Sequence, residues 1–257
     1  YCGYNGVPRV NIDYGSDIMG VSNSFGAGGI GLFELTAKPD SISIPRFTPV
    51  QGPKTSERNF NEDQLTDTRY AFDVVVNGPV RSMIRVKTMN WSTGNGYYEL
   101  EQYYTAYTNQ SYSTCKVKYT RFEPTVTGVQ FGCGIKANTI EAENLVEKGI
   151  AIRTGAEAVS DPDDDTGQKG HKVEFVGSAL VVKDVYKPHY VRMRSYGDNH
   201  TFRIPVTEDR SFEYLIAGAW SEGVVYNTPE LFKEYVRKTS IEYNNPVGVT
   251  FGELELK

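Results

Sequence analysis

The sequence predicts an antiparallel β-sandwich, and three observations carry that expectation. Strand-length runs recur at short spacing between glycine and proline signals, as all-β folds require. Tyrosine and phenylalanine, which favour strands, number 18 and 12 in 257 residues. Helical patterning is confined to two short, peripheral stretches. A chain of this length is read as one domain over residues 1–257, large enough to bury a core without covalent staples.

The first element in order is a glycine-dense stretch, Asn11 to Glu34, with Gly26-Ala27-Gly28-Gly29-Ile30-Gly31 inside it. These six residues spell GxGxxG, but no apolar strand precedes them and Pro39 follows too soon for a helix. A glycine loop entering a strand is therefore expected, not a dinucleotide site. Residues 36–69 hold four prolines and read as a connection, with a short strand at Ser41–Ile44. Strands follow at Tyr70–Val76, Val80–Thr88 and the tyrosine-rich Tyr97–Tyr107. Ser113–Arg121 and Thr127–Lys136 flank the turn signal Glu123-Pro124, which suggests a hairpin placing Cys115 opposite Cys133, as two buried free thiols or, in suitable geometry, a disulfide.

Ala137–Lys148 is expected as a short helix stopped by Gly149, and 155–171 as a polar loop. Further strands are expected at Lys172–Val176, Ala179–Val185, His189–Ser195, Thr201–Val206, Phe212–Ala217 and Val247–Leu256. The clearest helix spans Thr228–Ser240, with Thr228 as N-cap, Pro229 at the first helical position and an apolar stripe from Leu231 to Val236.

The charge balance, 27 basic against 32 acidic residues, argues against a nucleic-acid binder. No apolar run reaches membrane-spanning length. Asp161–Gly167 resembles the start of a calcium loop, but Thr166 and Lys172 stand where glycine and glutamate are needed. A solvated loop is preferred there, and no cofactor is expected.

Lys187–His200 holds the densest chemistry. In an extended strand Tyr190, Arg192 and Arg194 share one face, and His189 falls on the opposite, core-like one. Guanidinium groups match a uronate carboxylate and acidify the neighbouring C5–H; Tyr190 or His200 then serves as acid or base. A solvated face with ordinary ion pairs is the plain alternative. Tyr97, Glu99, Glu101 and Tyr103 share a face of their strand, a pairing of rings and carboxylates that suits sugars. Glu99 and Glu101 lie too close on one strand to flank a glycosidic bond from opposite sides, so a hydrolase is not expected.

Gly20–Ile30 (GVSNSFGAGGI), Val76–Arg81 (VNGPVR) and Ala217–Ser221 (AGAWS) resemble a secreted bacterial domain family of unknown function found in polysaccharide-utilisation loci beside uronate lyases. The resemblance implies a supersandwich or sugar-mutarotase-like fold, a secreted or periplasmic location and an acidic oligosaccharide or polysaccharide as partner. Family members carry a further N-terminal β-rich segment, so a missing front segment is expected. They also show histidines ahead of the glycine block, where this chain reads Asn11–Gly15. The combined expectation is a lyase or hydro-lyase (dehydratase) on uronate-containing oligosaccharides. Tyr190, His200, Arg192 and Arg194 would be catalytic; Asn23, Tyr97, Glu99, Glu101 and Tyr103 would bind substrate. The alternative is a non-catalytic glycan-binding or accessory domain.

Overall fold

The computed structural model describes residues 24–35, 42–45, 68–138, 140–160, 170–194 and 197–248, without the side chains of 158–160 and 170–172. Thirteen strands are described: β1 (Ala27–Glu34), β2 (Ile42–Ser43), β3 (Arg69–Asn77), β4 (Arg81–Ser92), β5 (Gly96–Tyr107), β6 (Tyr112–Pro124), β7 (Val129–Lys136), β8 (Ile140–Glu147), β9 (Ile150–Ser160), β10 (Gly170–Val182), β11 (His189–Met193), β12 (Asn199–Pro205) and β13 (Ser211–Trp220). One α-helix, α1 (Pro229–Asn244), follows. The strands form a β-sandwich of two antiparallel sheets. The smaller runs β11-β12-β7-β1-β2, the larger β3-β4-β5-β6-β13-β10-β9-β8.

Alternation explains the packing. Leu32, Phe131, Cys133, Phe202 and Ile204 project from the small sheet onto Tyr98, Leu100, Cys115, Val117, Leu180, Phe212 and Tyr214 of the large one. The large sheet's outer face buries Ile152, Phe175, Val181 and Leu215 under Phe232 and Val236 of α1. That helix begins as its sequence demands: Thr228 Oγ1 accepts from Leu231 N–H, and Pro229 occupies the first turn.

The glycine block enters β1 as a bulged strand, not a helix. Gly28 has φ +106°, and an added Cβ would overlap Ile216, so only glycine fits. Its carbonyl accepts the Tyr214 hydroxyl at 2.6 Å, tying the block to the opposite sheet.

Four expectations are corrected. Ala137–Lys148 contains a strand, β8, despite its helix-forming composition, because pairing with β9 along the sheet edge outweighs weak local propensity. The polar loop expected from 155 is β9 as far as Ser160, and 170–171 begin β10; Asp161–Gly167 lies outside the described residues. The runs from Lys172 to Val185 are one strand ending at Val182, followed by a 3₁₀ turn at Asp184–Tyr186. The segments holding Cys115 and Cys133 are not a hairpin: β6 pairs with β5 and β13, whereas β7 pairs with β1 and β12. Their connection crosses the sandwich, and the two free thiols are buried in the same core. Cys2, Asn23 and most of Val247–Leu256 lie outside the described residues; Val247 itself is in no regular element. Among the described residues no helix is long and apolar enough to cross a membrane.

Candidate active site between the two sheets

Tyr190 and Arg192 on β11 and His200 on β12 project from the inner face of the small sheet. The register sets this: Arg192 pairs with His200, and Tyr190 with the core residue Phe202. His189, on the other parity, is exposed and not a core residue. His200, one residue ahead of the strand expected from Thr201, lies within β12 and is 1 % exposed.

The large sheet supplies the residue that the sequence did not reveal, Glu141. On β8 the register shifts between Glu141 and Glu143, which pair with Gly155 and Thr154. This bulge turns Glu141 inward, while Glu143 and Glu147 face α1 and pair with Lys233 and Arg237. The residue's signal was hidden because Glu141, Glu143 and Glu147 share one parity in an unbulged strand.

The groups form a chain of hydrogen bonds. Tyr190 Oη lies 2.8 Å from His200 Nδ1, and His200 Nε2 lies 2.9 Å from Glu141 Oε2. Arg192 donates to Asp198 through Nε (2.5 Å) and Nη2 (2.6 Å), and to Glu141 Oε1 through Nη1 (2.8 Å). Nη1 also lies 2.8 Å from His200 Nε2, so the guanidinium is occupied by two carboxylates and the imidazole and holds the site's shape. Arg194 lies at the exposed end of the strand, close enough to favour the charge on Asp198.

Electrostatics fix the protonation states. Burial pushes the Glu141 carboxyl up, but hydrogen bonds from His200 and Arg192 outweigh it and hold it below the ordinary range. Burial lowers His200, with the Arg192 charge adding to that and Glu141 opposing it, so the imidazole is neutral near pH 7. The two partners of Nε2 make opposite demands: an ionised carboxylate only accepts and a guanidinium only donates, so Glu141 at 2.9 Å favours the ring proton on Nε2 and Arg192 Nη1 at 2.8 Å favours it on Nδ1. With the ring proton on Nε2, Nδ1 accepts from Tyr190 O–H; with it on Nδ1, Nδ1 donates to Tyr190 Oη. Burial raises Tyr190 and keeps it a phenol at rest.

Behind Glu141, the fully buried Arg153 donates to Ser178 Oγ at 3.0 Å and to Asn138 Oδ1, and pairs with Glu157 at 3.4 Å. Burial pushes Arg153 down to about 10, still charged at neutral pH. A cavity of about 280 Å³ is lined by Ile135, the register partner of His200, and by Ser178, but by none of Tyr190, Arg192, His200 and Glu141.

Tyr97, Glu99, Glu101 and Tyr103 do not join this site. They lie on the outer face of the large sheet, away from the side chains of Tyr98 and Leu100 in the core. There Tyr103 donates to Glu101 at 2.7 Å, Glu101 also pairs with Lys87 and Arg85, and Arg85 grips Asp73 with two bonds. Tyr97 remains 53 % exposed, with the Arg121 guanidinium 5.5 Å from its ring centroid. Among the described residues no cluster of three or more metal-ligating side chains is present.

The chain matches the family described as a domain of unknown function (DUF4861) over residues 8–249. It belongs to that family. No curated protein matches the sequence. One solved structure that the chain is similar to is an α-N-acetylgalactosaminidase, NagBb, from Bifidobacterium bifidum, in a quadruple mutant form. The TM-score is 0.37 at 9 % identity, over 69 % of this chain and 33 % of that one. This DUF4861 chain thus spans about a third of that protein's length.

Proposed function

We propose that this DUF4861 protein is a carbohydrate-active enzyme, a lyase or hydro-lyase acting on uronate-containing oligosaccharides outside the cytoplasm. The observation that carries the reading is the Tyr190–His200–Glu141 chain, with contacts of 2.8 and 2.9 Å. It has the logic of an activated nucleophile or base: a hydroxyl bonded to a neutral imidazole, which a carboxylate orients from behind. A phenol suits proton transfer at carbon, since His200 can draw its proton off as the C5–H approaches.

In the proposed step, the exposed Arg194 guanidinium pairs with the uronate carboxylate and stabilises charge developing at C5. Tyr190 passes its proton to His200 Nδ1 and takes the C5 proton on Oη. The C5–H electron pair becomes the C4=C5 double bond as the C4–O bond breaks. Tyr190 gives the new proton to the departing oxygen, and His200 returns its own to Tyr190. The product is an unsaturated uronate plus an alcohol from a glycosidic leaving group, or water from a hydroxyl.

A panel of uronate oligosaccharides, followed by ultraviolet absorbance and product mass, tests this. A new unsaturated-uronate chromophore is expected, lost in Tyr190→Phe while binding persists. Normal turnover in that variant would show the assignment to be wrong.

The second reading is a binding-only domain, favoured by the exposed Tyr97 ring and its cation partner on the outer sheet face. It predicts binding without product, weakened by Tyr97→Ala and indifferent to Tyr190→Phe.

A further inference from the structure

Three cavities share walls at one end of the sandwich. The first, of about 280 Å³, reaches Gln110, Ser111 and Gly218. A second, of about 310 Å³, shares Ser111 and Gly218 and runs along Trp220 to Tyr226. The third, of about 500 Å³, shares Gln110 with the first and Tyr226 with the second, and is walled by α1.

The third cavity is built around a fixed aromatic platform. Tyr226 stacks on Tyr235 with ring centroids 4.0 Å apart and planes 24° from parallel. The Tyr235 hydroxyl accepts from Ser111 N–H at 2.9 Å and donates to Gln110 Oε1 at 3.2 Å, so the turn between β5 and β6 locks its ring. The charged lining is Glu234 and Glu242 against Lys238, one residue per turn of α1. That balance is net negative. It repels a carboxylate, whereas hydroxyl groups donate readily to carboxylates, and the C–H face of a pyranose packs on an aromatic ring.

We infer that this cavity is a subsite for a neutral sugar unit, lying on Tyr226 with its hydroxyls on Glu234 and Glu242. Binding there does not depend on the lyase reading above.

Intrinsic fluorescence provides a readout separate from activity. The chain has two tryptophans; Trp91 is fully buried in the core, whereas Trp220 lines the middle cavity. The probes are neutral oligosaccharides of the gluco, xylo, manno and galacto series, with oligogalacturonate of matched length as the acidic comparison. At least one neutral series is expected to give a saturable change that Tyr226→Ala weakens at least about tenfold, or about 1.4 kcal/mol, without lowering the melting temperature. Absence of binding by every neutral series overturns the inference. So does unchanged affinity in Tyr226→Ala, or a loss of oligogalacturonate affinity in that variant as large as its loss of neutral-chain affinity. Retained neutral binding in a protein inactive on every uronate substrate sinks the catalytic reading and leaves the subsite standing.

Discussion

Glu141 decides what His200 can do. In the proposed step the Glu141 carboxylate selects, against Arg192, the tautomer that leaves Nδ1 to accept the Tyr190 proton, and the imidazolium that would form has a counter-charge at 2.9 Å. Replacing Glu141 by Gln keeps the shape but lets the amide donate to Nε2, which favours the opposite tautomer. Turnover is expected to fall roughly 10²–10⁴-fold with little change in KM, the usual contribution of positioned acid–base chemistry. Steady-state kinetics on the productive oligosaccharide checks this, and a change confined to KM would contradict it. The same residues set a pH dependence of stability. His200 binds its proton more weakly in the folded chain than the ordinary 6.5, so on acidification the unfolded chain protonates first. Stability is expected to fall as pH drops below about 6.5, until His200 protonates in the folded state too. Glu141 adds to this further down, since its folded pKa is below 4.5 and the unfolded chain again binds the proton first. Denaturant midpoints measured from about pH 8 to about pH 4 should show this slope, and His200→Gln should flatten its upper part. A wild-type midpoint that is constant across that range would exclude a depressed His200.

At the scale of elements, α1 is held to the sandwich by Phe232 and Val236 in the core beneath it and by the ion pairs of Lys233 and Arg237 with β8. Phe232 is fully buried beside Phe175, and a Cβ at Gly177 would occupy its place. Phe232→Ala is expected to cost about 3–5 kcal/mol, read as a lowered denaturation midpoint. The apolar stripe from Leu231 to Val236 made this helix legible in the sequence. Strand β8 was not legible, because Glu, Ala and Leu favour a helix locally and only the partner β9 makes the segment extended. Glu141 was hidden for a second reason: a bulge inverts the facing of a side chain, and a period-two pattern carries no mark of where a bulge falls. Tyr190, Arg192 and Arg194 were found by alternation along a short, regular strand. Their roles were less legible, since it takes Asp198 and Glu141 in space to show that Arg192 is already engaged.

At the scale of the molecule, alternation says which side chains turn inward but not which sheet a strand joins. Local turns suggest neighbouring strands, and Glu123-Pro124 read that way; instead β6 and β7 lie in opposite sheets. Cys115 and Cys133 therefore report on the closure of the whole sandwich. Burial pushes the Cys115 thiol up to about 11 and drives Cys133 well above its ordinary value. Thiolate is the reactive form, so both should be inert while the sheets stay packed. In a Cys2→Ser chain, a thiol reagent should label neither residue in native buffer on the timescale of its reaction with an exposed thiol. Labelling should appear as denaturant opens the sandwich, at a rate that follows unfolding. Phe232→Ala, which loosens the outer layer and not the interface between the sheets, should speed labelling only as far as it lowers global stability. Prompt labelling of Cys115 alone in native buffer would mean that β6 separates from the small sheet without global unfolding, and that the core is not one cooperative unit.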